Sequence, residues 1–189
     1  KIFTFGSFNN FKKISNDTIQ AWSKILIETN AQIILKNSFP DNVELKNNIY
    51  KKFINQGVNE KQLIFLDREH NEIDHFNHYN KINLALDTFP FTGVTTSIES
   101  ILMGVPVLTM SGFSFISRCG ASINKNIGMS DFIALNNDEY VFLAKKLSKD
   151  SELHIKNGNK LREKAIKSPL CDTIAFGKDF KKMLNEILN

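Results

Sequence analysis

Two hydrophobic patterns alternate along the chain. Short runs of consecutive apolar residues, bounded by Gly, Pro or polar positions, occur at Lys1 to Phe5 (KIFTF), Ala31 to Leu35 (AQIIL), Leu63 to Leu66, Ile82 to Leu86 and Pro106 to Met110. Runs of this length and composition predict buried strands. Between them apolar residues recur at helical spacing. The first predicted helix is capped by Ser15 or Asn16 and carries Ile19, Trp22, Ile25 and Leu26 on one face. A second spans Val43 to Gln56 and stops at Gly57. A short third, Glu72 to Asn80, carries His75, Phe76, His78 and Tyr79, and a fourth opens at Thr95–Thr96 and stops at Gly104.

After the fifth strand the pattern predicts a helix from Phe115 to Ile127 interrupted by small residues, a short edge strand at Phe132 to Leu135, and a helix from Asp138 to Leu147 capped by Asn136 or Asn137. Two more helices follow, Glu152 to Lys167 and Thr173 to Leu188. The last places Phe176, Phe180, Met183, Leu184 and Ile187 on one face.

Strands alternating with helices make βαβ units and therefore a parallel sheet. The expected fold is α/β, a Rossmann-like parallel sheet flanked by helices, with residues 1–150 as the ligand-binding domain and 151–189 as C-terminal helices packing on the same unit. Ligands of such sheets lie at the carboxyl ends of the strands beside a topological switch point. The loop at Asn9, Asn10, Lys12 and Lys13, the loop from Asp87 to Thr96, and the helix carrying His75 all fall at that edge. A strand, a Gly-bearing loop and a helix N-terminus form an anion site, because the first N–H groups of a helix lack partners and its dipole is positive there. On this reading Gly93 admits a phosphate close to the backbone. Thr96-x-x-Glu99 also reads as a capping box, which needs no ligand. Asp87, at the end of a strand, is expected to fix its own loop through local hydrogen bonds.

Composition narrows the class. The chain has 189 residues, 42% apolar and 23% charged, the make-up of an ordinary globular protein. A net charge of +4, evenly spread, gives no footprint for nucleic acid. Cys119 and Cys171 suggest neither a disulfide framework nor a zinc site, and reduced thiols in a cytoplasmic protein are the expectation. No apolar run is long enough to span a membrane, so no membrane is expected, and no metal-ligand cluster is visible in the sequence, so no bound metal is expected. The chain opens at Lys1 directly in a strand-like run, which reads as a piece of a longer protein.

Several separated blocks carry a resemblance. LDTFPFTGVTTSIES and ILMGVPVLTM (Leu86 to Met110), FGSFNNFKKIS near the start, the spacing from His75 to Asp87, SRCGAS, NDEYVFLA and SPLCDT resemble, in the same order, the O-GlcNAc transferase and SPINDLY-like glycosyltransferases. The resemblance covers essentially the whole chain. It implies the C-terminal, nucleotide-sugar-binding half of an inverting GT-B enzyme that acts on protein side chains. A second Rossmann-like half and helical repeats would lie on the N-terminal side. It implies no metal and no tightly bound cofactor, and a nucleotide-sugar as donor substrate, a UDP-sugar ahead of a GDP-sugar. It also implies that this domain alone is inactive.

The same resemblance assigns roles. Lys13 falls where the family places a lysine on the donor diphosphate, and Asn10 at a position that contacts the phosphate region. Thr95 and Thr96 match the pair at the helix N-terminus, Glu99 an acidic position on the ribose hydroxyls, and His75 a histidine that packs on the base. Phe91, Val94, Glu72 and His78 stand where the animal enzymes have a cysteine, a histidine, a lysine and an arginine. UDP-GlcNAc, UDP-glucose and GDP-fucose are the donors that fit. No general base is assigned in this chain, and Arg118 is given a structural role. Two other readings compete: another nucleotide- or flavin-binding doubly wound domain, and a degenerate, non-catalytic interaction module. Convergence of Lys13, Thr95, Thr96 and Glu99 on one site would distinguish the donor-binding reading from both.

Overall fold

The structure is a computed structural model that describes residues 2–37, 43–69, 71–150 and 158–188. Six strands, β1 (Thr4–Ser7), β2 (Gln32–Lys36), β3 (Leu63–Leu66), β4 (Leu84–Leu86), β5 (Val107–Met110) and β6 (Ile133–Ala134), form one sheet in the order β3-β2-β1-β4-β5-β6, with every pairing parallel. The described residues include eight α-helices: α1 (Asn16–Thr29), α2 (Val43–Asn55), α3 (Glu72–Asn77), α4 (Thr95–Leu102), α5 (Cys119–Asn126), α6 (Asn137–Leu147), α7 (Gly158–Ile166) and α8 (Thr173–Leu188).

The strands are mostly apolar because both faces of the sheet are covered. Successive side chains point to opposite faces, so Ile33 and Leu35, Leu84 and Leu86, and Leu108 enter one core with Trp22, Ile25 and Leu26 of α1 and with Tyr140 and Ala144 of α6. Ile34, Ala85 and Val107 enter the other, with Tyr79, Ile101 of α4, and Ile123 of α5. Full burial of each such large apolar side chain contributes roughly 1.5–3 kcal/mol, which outweighs any propensity preference of strands only three to five residues long. One polar thread crosses the first core: the Trp22 indole N–H donates to Tyr140 Oη at 3.3 Å, and the Tyr140 hydroxyl donates to the Asp87 carbonyl at 2.9 Å.

Most predicted elements are present, with instructive shifts. Gly6 and Ser7 do not end β1; they continue it, Gly6 pairing with Ile34 and Ala85. A Cβ at Gly6 would lie 2.6 Å from the Ile82 side chain, so this glycine answers to packing rather than to a turn. The third helix tightens after Asn77 into a 3-10 turn, His78–Lys81. The helix expected from Glu152 is described from Gly158 onward, its first part lying outside the described residues. Gly104 takes φ +78° at the end of α4, and its backbone meets that of Gly158 so closely that a Cβ there would lie 2.3 Å from the Gly158 Cα. α7 buries Ala165, whereas no residue of α8 is buried.

Candidate functional site

β1 and β4 are adjacent, and the chain leaves them for opposite halves of the sheet, so the switch point lies between their carboxyl ends. Phe8, Asn9 and Asn10 leave β1 and lead into a 3-10 turn, Phe11–Lys13. Asp87 leaves β4 and begins the loop that ends at α4. Asp87 is buried and saturated. Its Oδ1 accepts from the Gly93 amide at 2.6 Å, the Thr88 amide at 3.0 Å and Asn9 Nδ2 at 3.4 Å, and its Oδ2 accepts from Thr109 Oγ1 at 2.8 Å. Burial pushes its carboxyl pKa up to about 6, against the pull of the Gly93 amide, the Thr109 hydroxyl and the Lys13 charge. The loop-fixing role expected of Asp87 is what its hydrogen bonds perform.

Two glycines make this packing feasible. A Cβ at Gly93 would lie 2.7 Å from Ser97 Oγ and 3.2 Å from Asp87 Oδ1, and one at Gly120 would lie 2.6 Å from Asp87 Oδ2. Gly93 is therefore demanded by its protein neighbours, a packing reason that sequence reading did not give. The Gly120 amide of α5 donates to Thr92 Oγ1 at 3.2 Å, tying that helix to the same loop.

Lys13 sits half-buried on the rim. Its Nζ donates to the Thr92 carbonyl at 3.2 Å and to Asn9 Oδ1 at 3.4 Å, and lies 4.3 Å from the centroid of the Phe91 ring. Burial lowers the pKa of its ammonium, while Asp87 and Cys119 pull it back up. Phe91 thus offers the lysine an aromatic face. Asn10 is at the same rim, but its Oδ1 accepts from the Lys12 amide at 3.0 Å and caps the turn that carries Lys13. Asn9, buried beside it, had not been singled out. Its Oδ1 accepts from Lys13 and from Thr96 Oγ1 at 3.3 Å, while its Nδ2 faces Asp87, so one side chain joins both polar loops.

α4 begins differently from α1, α3 and α6, whose N-caps Ser15, Asn71 and Asn136 each accept from a first-turn amide. Its N-cap is Val94, at φ −120°, ψ −77°, with no side-chain cap. The capping box read from Thr96 and Glu99 does not form, because Glu99 turns to Tyr79 and His75. Among the described residues the amides of Thr95, Thr96 and Ser97 donate to nothing. Three N–H groups and the positive end of the helix dipole therefore face the rim beside Lys13.

The other side of the rim is a polar network. Tyr79 Oη donates to Glu99 Oε2 at 3.1 Å, and His75 Nε2 lies 3.3 Å from the same oxygen. His75 Nδ1 is 2.6 Å from Nζ of Lys36, a buried lysine at the carboxyl end of β2 that sequence reading missed. The only signal was a charge closing an apolar run, AQIILK. Burial lowers the pKa of Lys36, offset by Glu69 and Glu99; burial and Glu99 raise that of Tyr79, keeping its hydroxyl protonated. His78, where the resemblance has an arginine, is buried between Glu69 Oε1 at 2.6 Å and Lys81 Nζ at 3.0 Å and is not free to read a base. Glu72 is exposed. The Arg118 side chain is also exposed and makes no hydrogen bond or ion pair among the described residues, while its backbone caps the start of α5, accepting from the Ser122 amide at 2.8 Å.

Lys13, Asn10, Thr95, Thr96, His75 and Glu99 thus share one edge of the sheet. They form an open rim, with a hollow of only about 10 Å³ beneath it. A larger hollow, about 690 Å³, opens at the amino ends of β4 and β5 between Met103, Pro106, Met129 and Leu161. It holds none of these residues, and volume alone does not make it the site of chemistry.

Comparison with known proteins places this geometry. The family model for glycosyl transferase family 41 matches residues 1–180. A probable UDP-N-acetylglucosamine–peptide N-acetylglucosaminyltransferase SPINDLY of Hordeum vulgare is 36% identical over 179 residues, covering 92% of this chain and 18% of that protein. The UDP-N-acetylglucosamine–peptide N-acetylglucosaminyltransferase of Caenorhabditis elegans is 27% identical over 184 residues, covering 97% and 16%. The chain spans about a fifth of the length of the curated relatives it matches. Among solved structures, a mutant O-GlcNAc transferase of Thermobaculum terrenum superposes with a TM-score of 0.85 at 26% identity, covering 96% of this chain and 36% of that one. Anabaena HepE in complex with UDP and glucose, at TM-score 0.65 and 14% identity over 98% and 48%, shares the fold. The sheet and its helices are those of the C-terminal Rossmann-like domain of a GT-B glycosyltransferase. By family model, relatives and fold together, the chain belongs to glycosyltransferase family 41.

Proposed function

We propose that this chain is the donor-binding half of an inverting glycosyltransferase, and that its rim takes the nucleoside diphosphate of a nucleotide-sugar. The observation that carries the reading is the meeting, at the switch point, of the Lys13 ammonium with the three open amides at the start of α4. A helix N-terminus and a flexible cation together complement a diphosphate, and both gain in interaction as charge builds on the departing group. The acceptor hydroxyl or amide of a protein side chain attacks the anomeric carbon. The bond from that carbon to the diphosphate oxygen breaks with its electron pair, and the acceptor's proton passes to a base outside this chain. Lys13 and the α4 amides stabilise the anion that leaves.

The nucleoside lies over the other side of the rim, its base against His75 and its ribose hydroxyls toward Glu99. Thr95 and Thr96 line the phosphates, with Asn10 behind Lys13. Residues 1–150 are the donor-binding unit and 151–189 its C-terminal extension. The acceptor site and the second Rossmann-like half belong to the longer protein, so this chain alone binds nucleotide weakly and does not turn over. A UDP-sugar is favoured, in keeping with the names of the plant and nematode relatives; a GDP-sugar is the alternative.

Calorimetric titration with UDP and with GDP, on this chain and on the longer protein, tests the reading. One nucleotide is expected to bind, and Lys13→Ala to weaken it about tenfold (~1.4 kcal/mol). Binding of neither nucleotide by the longer protein would overturn the proposal. Binding that Lys13→Ala leaves unchanged would remove Lys13 from the site.

A further inference from the structure

Lys36 has no part in the reaction proposed above, yet it is buried at the carboxyl end of β2 with its charge turned toward the rim. Its Nζ is 2.6 Å from His75 Nδ1. An ammonium offers only protons, so Nδ1 must be the accepting nitrogen and the neutral ring carries its proton on Nε2. Nε2 faces Glu99 Oε2 at 3.3 Å, as a donor should. With the proton on Nδ1 instead, two donors would confront each other at 2.6 Å and a lone pair would point at a carboxylate. Tyr79 Oη donates to the same Glu99 oxygen at 3.1 Å. Oε2 is thereby occupied twice, while among the described residues Oε1 accepts nothing and is left for a ligand.

The line from Lys36 through His75 to Glu99 joins β2, α3 and α4, three elements that meet only in the folded chain. Each group in it fixes the next: the lysine fixes the tautomer, the tautomer fixes the carboxylate's orientation, and Tyr79 fixes which oxygen is spent. A second lysine–histidine–glutamate line, Lys81–His78–Glu69, has its histidine buried, and its Glu69 also acts on the Lys36 charge, together with Glu99.

Resting on the donor-site reading, we propose that Lys36 is a positioning residue: by holding His75 as the Nε2–H tautomer it aims Glu99 Oε1 at the vicinal hydroxyls of the donor's ribose, and so selects a ribonucleotide over its 2′-deoxy counterpart. An aimed, charged acceptor discriminates strongly because a ligand lacking the hydroxyl leaves it unpaired.

Two measurements on the full chain test this. In nitrogen-15 imidazole spectra, the His75 signal (identified by its loss in His75→Gln) is expected to show protonated Nε2 and bare Nδ1, and to lose that pattern in Lys36→Met. This readout needs no nucleotide, and the wild-type spectrum needs no variant to fold. In calorimetry, whichever of UDP and GDP binds is compared with its 2′-deoxy form. Wild type should prefer the ribonucleotide about tenfold, Lys36→Met about twofold or less, and the Lys36→Met, His75→Gln double variant no less than either single one. A proton on Nδ1 in the wild type, an unchanged preference in Lys36→Met, or losses that add in the double variant would overturn the role of Lys36 alone. An Nε2–H ring in this chain, with neither nucleotide bound by the longer protein, would overturn the donor-site reading, and the ribose role with it.

Discussion

α1 and α4 both begin at the carboxyl edge of the sheet, one after β1 and one after β4, and they are held there by different means. The first turn of α1 is closed by its own cap: the Thr18 amide donates to Ser15 Oγ at 3.1 Å, and the Ser15 and Thr18 hydroxyls both donate to the Phe89 carbonyl, at 2.7 and 2.8 Å. α3 and α6 are closed in the same way by Asn71 and Asn136. α4 has no side chain over its end and is instead fixed from beneath, through the bond from the Gly93 amide to the buried carboxylate of Asp87. A capped terminus has one amide fewer to offer and a side chain lying across its end. A terminus meant to receive an anion has to be positioned by groups that do not occupy it, and here a buried acid below the loop does that work.

Three experiments press on this contrast. The largest effect is expected for Asp87. Its folded pKa, about 6, lies above its ordinary value of 3.8, so between those values the folded chain holds a proton that the unfolded chain has released. Stability from this group is therefore full below about pH 4 and is lost as pH rises through about 6, by roughly 3 kcal/mol. Urea unfolding of wild type and Asp87→Asn across that range should show a falling difference between the two. A difference that is flat with pH would mean that the carboxylate stays ionised and that α4 is held by some other group. Ser15→Ala should cost about 1 kcal/mol in the same assay and leave nucleotide affinity untouched, because the α1 terminus has no part in the proposed donor site; a change in affinity would erase the distinction between the two ends. The smallest effect is expected for Val94→Asp. A carboxylate beside the open amides should weaken nucleotide binding about threefold (~0.6 kcal/mol) with little change in the urea midpoint.

How far the sequence reaches follows from the range of the forces involved. β3 matches its apolar run, LIFL, residue for residue, and α8 matches its predicted span, since both depend on local pattern. The gathering of Lys13, Thr95, Thr96, His75 and Glu99 was legible too, because in a parallel sheet every strand delivers its following loop to the same edge. What was not legible depends on residues far apart in the chain. The capping box at Thr96 failed because Tyr79 and His75, twenty and twenty-four residues away from Glu99, compete for its carboxylate. Gly93 looked like a phosphate glycine, but the atoms crowding it come from Asn9, Asp87 and Ser97. Lys36 and Asn9 looked like an ordinary strand end and an ordinary loop, and acquire meaning only through partners 39 and 78 residues distant.

The hydrogen-bonded thread beneath the site also supplies an optical handle. The chain contains a single tryptophan, and Trp22 is fully buried with its indole N–H on Tyr140, whose hydroxyl ends on the Asp87 carbonyl. Any rearrangement of the loop that carries Gly93 and the start of α4 must alter the polarity and hydrogen bonding around that one indole. Its intrinsic fluorescence therefore reads the floor of the site directly: an emission shift on adding nucleotide would follow occupancy in real time, without a label and without a second indole in the chain.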